Sequence, residues 1–129
     1  MRHEEFIVKL QIFDPIEIAE GSEEMDFRTL CDFDSGGGGV FWSMEGGPSP
    51  WEMHPDCDEL LHAIDGEIEV EILPSSGGKA SIAVVKAGSY LVVPRGCWHR
   101  QYFRTKSTEF YVTLGRTLHS QSEDPRADA

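Results

Sequence analysis

The sequence predicts an all-β domain, either a sandwich or a closed barrel, and three observations carry that reading. Turn signals recur every eight to twelve residues: GGGG at 36–39, GGPSP at 46–50, Asp65-Gly66, PSSGG at 74–78, Ala87-Gly88 and Pro94-Arg95-Gly96. The intervals between them are rich in Val, Ile, Phe, Tyr and Trp, which suit a pleated, half-buried surface. One interval, Glu67–Leu73, alternates cleanly. Ile68, Val70 and Ile72 share one face and Glu67, Glu69 and Glu71 the other, the pattern of an antiparallel strand wet on one side.

In chain order, residues 1–25 hold only a weak helix signal, IEIAEGSEEM at 16–25, interrupted by Gly21. They are expected to form a segment packing on the β domain or on a partner. The β domain is expected over 26–119, and the stretch 120–129, SQSEDPRADA, as a mobile polar tail. Strands are expected at Val40–Met44, Glu59–Ile64, Glu67–Leu73, Ala80–Lys86, Tyr90–Val93, Trp98–Arg104 and Thr108–Leu114. Asp65-Gly66 has the pattern of a tight hairpin turn, and PSSGGK that of a looser hairpin loop.

A chain of 129 residues fits one domain with its own core. Its 23 acidic and 11 basic residues give a net charge of −12, which repels nucleic acid and anionic membranes and attracts cations. No apolar run approaches a membrane span, and Glu4 and Glu5 stand where a signal peptide needs positive charge, so the protein reads as cytoplasmic. Three cysteines, Cys31, Cys57 and Cys97, are no disulfide framework, and none stands in a C-x-x-C pair.

Five histidines are present, and His3 and His119 near the ends read as surface residues. Glu52 and His54 are two apart, so on an extended strand they point the same way. Glu59 follows across the bend His54-Pro55-Asp56-Cys57-Asp58, and His99 opens a distant strand after Pro94-Arg95-Gly96. Nitrogen and carboxylate donors of this kind suit iron, manganese, nickel, copper or zinc. Spacing alone favours the plainer reading, an ordinary solvated hairpin.

The stretch from Gly88 to His99 fits G-x5-P-x-G-x2-H, the second motif of the cupins, at every defined position up to the histidine. Phe103 stands where the family pattern continues with Asn. Upstream, His54-x4-Glu59-x6-Gly66 fits the second half of the first cupin motif, and 21 residues separate Gly66 from Gly88. Over roughly residues 40–114 the chain thus resembles a small single-domain cupin. The resemblance implies a double-stranded β-helix, or jelly-roll barrel, holding one divalent transition metal. Its ligands would be Glu52, His54, Glu59 and His99.

Glu52 departs from the family, which usually has histidine there. A second carboxylate favours hard ions, iron or manganese, with nickel and zinc still open. Alternatively His54, Glu59 and His99 hold the metal and Glu52 acts as a general base, or the site has lost its metal. The implied function is a metal-dependent enzyme on a small organic molecule, dioxygenase-like. An isomerase, decarboxylase or lyase, or a binding or sensing module without turnover, are the alternatives.

Alternation from His99 and Glu59 turns Gln101, Phe103 and Leu61 inward, and Trp42 and Met44 are expected to join them around a substrate. Arg95 is the nearest candidate to hold a carboxylate. His62 falls on the outer face, as do Tyr90, Trp98 and Tyr102, whose rings predict a homodimer.

Overall fold

The computed structural model describes residues 12–33 and 36–127. Among these residues, ten strands form two five-stranded antiparallel sheets. They are β1 (Arg28–Phe33), β2 (Gly36–Ser43), β3 (Trp51–Met53), β4 (Glu59–Asp65), β5 (Glu67–Ile72), β6 (Ser81–Lys86), β7 (Tyr90–Val93), β8 (His99–Phe103), β9 (Ser107–Leu114) and β10 (Leu118–Ser120). One sheet has the order β1-β2-β9-β4-β7, the other β10-β3-β8-β5-β6. The expected all-β jelly roll is therefore the fold.

All seven expected strands are present. β1 and β10 were not expected, and β3 only as the extended stretch carrying Glu52; β3 and β10 have three residues each. The run GGGG, expected as a turn, lies inside β2. The cause is close packing. A Cβ at Gly39 would overlap the Tyr111 ring of β9, and one at Gly36 would overlap the Thr113 backbone.

Asp65-Gly66 is also not a hairpin. β4 pairs with β7 and β9, and β5 with β6 and β8, so this turn carries the chain from one sheet to the other. Gly66 has φ +84°, and any side chain there would strike Ser107. The PSSGGK loop does close a hairpin, β5 to β6.

The inner faces meet over Phe41, Leu61, Ala63, Ile68, Val70, Val85, Val93, Cys97 and Phe103. Each large side chain there contributes about 1.5–3 kcal/mol by leaving water. Glu67, Glu69 and Glu71 face out as expected; Arg100 pairs with Glu71 at 2.8 Å and Arg104 with Glu67 at 3.1 Å.

Ahead of the strands, helix α1 (Pro15–Glu20) is capped by Asp14, whose carboxylate accepts from the N–H groups of Ile16 and Glu17. The next turn reaches the outside of β2, where the Trp42 indole N–H donates to the Ser22 carbonyl at 2.9 Å. Residues 1–11 of the expected N-terminal segment, with His3, lie outside the described residues. In the 120–129 stretch, Pro125–Ala127 form a 3-10 turn, and Arg126 donates to the Pro74 carbonyl at 3.0 Å. Among the described residues no helix is long and apolar enough to cross a membrane.

Candidate metal centre

Glu52 lies on β3 directly opposite His99 on β8, and His54 follows the end of β3. Glu59 opens β4, paired with Val93 on one side and Thr113 on the other. The four residues thus come from both sheets.

Their donor atoms converge. Glu59 Oε1 is 3.0 Å from Nε2 of both His54 and His99, and Glu52 Oε1 is 3.3 Å from both. One donor atom from each residue lies within 4.8 Å of all the others. Ligands held about 2.1 Å from an ion stand roughly 3.0–3.4 Å apart, so these spacings fit a shared ion.

The outer atoms are fixed too. His99 Nδ1 is 3.1 Å from the Cys97 carbonyl; His54 Nδ1 is 3.0 Å from Thr117 Oγ1 and 3.4 Å from the Arg116 carbonyl. A proton donated there leaves Nε2 of each ring facing the cluster. The Thr113 hydroxyl donates to Glu59 Oε2, which turns Oε1 inward.

The charges explain why such a cluster seeks cations. Burial works to lower both histidines, but hydrogen bonds to Glu52 and Glu59 raise His54 to about 10 and His99 to about 9. Burial likewise opposes ionisation of Glu52, yet hydrogen bonds from His54 and His99 hold its carboxylate well below the ordinary range. Two positive charges are therefore demanded between two carboxylates, and two protons or one divalent ion can supply them.

The cluster lines a pocket of about 420 Å³, within the usual range for small-molecule sites. Phe41, Phe103 and Tyr111 form its aromatic walls, with the exposed Met25 and Phe27 at the rim. Gln101 and Phe103 line it as expected. Leu61 does not: it is buried in the apolar core.

Trp42 and Met44 are corrections. Both point away from the pocket, Trp42 against Ser22 and under Lys106, Met44 into solvent with 51% exposure. Register with β9 sets the parity of β2 and gives the inward place to Phe41, opposite Glu109. Arg95 is an exposed turn residue outside the pocket, and His62 stands on the other face of β4 with Nδ1 3.0 Å from the Ser89 carbonyl.

Sequence reasoning missed Glu109, Tyr111 and Thr113, the inward residues of β9. It also missed His119, which is opposite Glu52 on β10 with its Nε2 3.7 Å from Glu52 Oε2. The alternation of β9 was visible, but its apolar residues Phe110, Val112 and Leu114 argue for the opposite face.

Comparison with known proteins agrees with this architecture. The cupin domain family matches residues 40–114. Oxalate oxidase 1 of Hordeum vulgare is 41% identical over 71 residues, 54% of this chain but 35% of its own length. The chain thus spans about a third of that relative. A solved oxalate oxidase in complex with the substrate analogue glycolate has 32% identity and a TM-score of 0.52, covering 70% of this chain and 44% of its own. Hydroquinone 1,2-dioxygenase from Sphingomonas sp. TTNP3, solved with 4-hydroxybenzoate bound, shares the fold with a TM-score of 0.65 at 18% identity, over 84% of this chain and 81% of its own. With that domain match covering the strands that build the centre, the chain belongs to the cupin family.

Proposed function

We propose that this cupin is a metal-dependent enzyme of dioxygenase type acting on a small organic molecule. One observation carries the reading: two imidazole nitrogens and two carboxylate oxygens, from both sheets, converge within 4.8 Å on the wall of an aromatic pocket. His54, Glu59 and His99 would hold one divalent ion, with Glu52 Oε1 as the fourth donor. Two carboxylates favour iron or manganese over softer ions. Such an ion, when bound, supplies Lewis acidity and, if redox-active, access to dioxygen chemistry.

The chain's own residues do the rest. Thr113, Thr117 and the Cys97 carbonyl hold the ligands in orientation. Phe41, Phe103 and Tyr111 exclude water and favour a flat apolar body. The relatives named as oxalate oxidase and hydroquinone 1,2-dioxygenase support an oxidative reaction on an oxygen-bearing small molecule.

The test has two stages. Elemental analysis of untagged protein should find close to one ion per chain. Less than about a tenth of an equivalent, not restored by iron, manganese, nickel or zinc, refutes the metal reading. Oxygen consumption on a panel of small hydroxy acids and phenols then separates an enzyme from a binding module.

We extend the proposal to a twofold dimer. Tyr90 is 65% exposed, and Val92, Ile82 and Val84 beside it on the edge strands β7 and β6 are 48%, 56% and 45% exposed. Trp98 and Tyr102, expected on this surface, are half-buried.

A further inference from the structure

Besides the four-residue cluster, the pocket wall carries a second group of polar atoms. Glu109 is 1% exposed and Gln101 8% exposed, and both line the cavity. Gln101 Nε2 donates to Glu109 Oε1 at 3.3 Å. The other two oxygens, Gln101 Oε1 and Glu109 Oε2, have no hydrogen-bond partner among the described residues. Buried polar atoms are almost always paired, and leaving one unpaired costs about 1–3 kcal/mol. Two orphaned atoms on side chains that line one cavity therefore point to an occupant that completes them.

We propose that Glu109 and Gln101 bind a hydroxyl group at one end of an aromatic substrate whose other end presents an oxygen function to the cluster. The proposal rests on the metal-site reading above and specifies its substrate class. The spacing comes from the strand. Gln101 is two residues beyond His99 on β8, which places it about 7 Å along. That separation leaves the body of a substrate to lie between the cluster and the pair. The walls suit an aromatic one: Phe41 meets Phe103 edge-on with centroids 5.8 Å apart, and Tyr111 lies 6.1 Å from Phe41.

The chemistry of the pair selects a hydroxyl over an anion. Burial first, and then the Glu59 charge, push the Glu109 carboxyl well above the ordinary range. As a neutral acid, Glu109 offers an O–H donor, while Gln101 Oε1 accepts. A phenolic or alcoholic hydroxyl both gives and takes a hydrogen bond and satisfies the two together. Among the described residues, a carboxylate at this end would find no free cation to balance its charge: Arg100 is committed to Glu71 at 2.8 Å and stacks 4.3 Å from the Trp51 ring centroid.

The experiment compares benzoate with 4-hydroxybenzoate, which differ only by the far hydroxyl. Each is titrated calorimetrically into manganese-loaded protein under argon. The parent should bind 4-hydroxybenzoate about tenfold tighter than benzoate. Glu109→Leu and Gln101→Leu should each abolish that preference, and benzoate binding that persists in them shows that the variants fold. Glu109→Gln keeps a donor and an acceptor in the same place and should retain the preference. Benzoate binding without a preference in the parent, a preference surviving both leucine substitutions, or one lost in Glu109→Gln would overturn the inference and leave the metal site standing. Binding of neither compound to the loaded parent would overturn both.

Discussion

Loading the centre with metal should expel two protons. In the metal-free protein His54 and His99 sit at about 10 and about 9, so both rings are almost fully charged at pH 7. Their Nε2 atoms lie 3.0 Å from Glu59 Oε1 and 3.3 Å from Glu52 Oε1, where a divalent ion would need them as lone pairs. Two protons leave as one divalent ion arrives, so the net charge of the cluster does not change. Apparent affinity should therefore rise about 100-fold per pH unit between about pH 6.5 and 8.5, because two protons compete with each ion. The assay is calorimetric titration of metal-free protein with manganese(II) in two buffers of different protonation enthalpy, which counts the protons directly. Release of fewer than about half a proton per ion, with affinity flat in pH, would refute the reasoning.

Stability of the metal-free protein should follow the same groups. Both histidines are raised on folding, so their contribution is complete below about pH 6.5 and is lost as pH climbs through 9 to 10. Glu52 is depressed, so its contribution holds above its ordinary value and fades as pH falls. Thermal melts should thus show the metal-free form weakening from pH 7 to 10 while the loaded form does not; parallel curves would contradict this. Glu52→Gln should weaken metal binding by about 10- to 100-fold, read by competition with a chelator, and Glu52→His should keep the metal and move selectivity towards softer ions. Full metal retention with lost turnover in Glu52→Gln would instead assign Glu52 the role of base. Gly39→Ala should cost about 1–3 kcal/mol in a urea melt, because its methyl group meets the Tyr111 ring; a loss under about 0.5 kcal/mol would mean the ring moves freely. Light scattering should give a dimer at micromolar concentration, and Tyr90→Asp should weaken it; a monomeric parent would remove the interface.

How much of this was legible in the sequence depended on what each strand faces. The strand Glu67–Ile72 was read correctly because one side meets apolar core and the other meets water. The four cluster residues were found through motif spacing, since no periodicity singles out Glu52 or Glu59. The facing of β2 was unreadable: four glycines and then Val40, Phe41 and Trp42 give no alternation, and only the register with β9 fixes which ring turns inward. β9 misled for a different reason. Its inner face is the polar wall of a site, so Glu109 and Thr113 point in while Phe110 and Val112 point out. Asp65-Gly66 has hairpin chemistry, but the turn was used to change sheets, a choice made by long-range pairing.

Drawing the four donors from two sheets has a mechanical consequence. An ion at their centre would act as a rivet through the sandwich, joining Glu59 in one sheet to His99 in the other across 40 positions of chain. A permanent cross-link of that span restricts the unfolded chain by on the order of 4 kcal/mol, which sets an upper bound for a reversible one. Without the rivet, the three-residue strands β3 and β10 are held by their own pairing, by one pair between β3 and β8, and by the Arg116–Asp56 bridge and the Thr117–His54 contact just ahead of β10. Amide exchange there should slow most when the metal arrives, while β4, pinned between β7 and β9, should scarcely register the change.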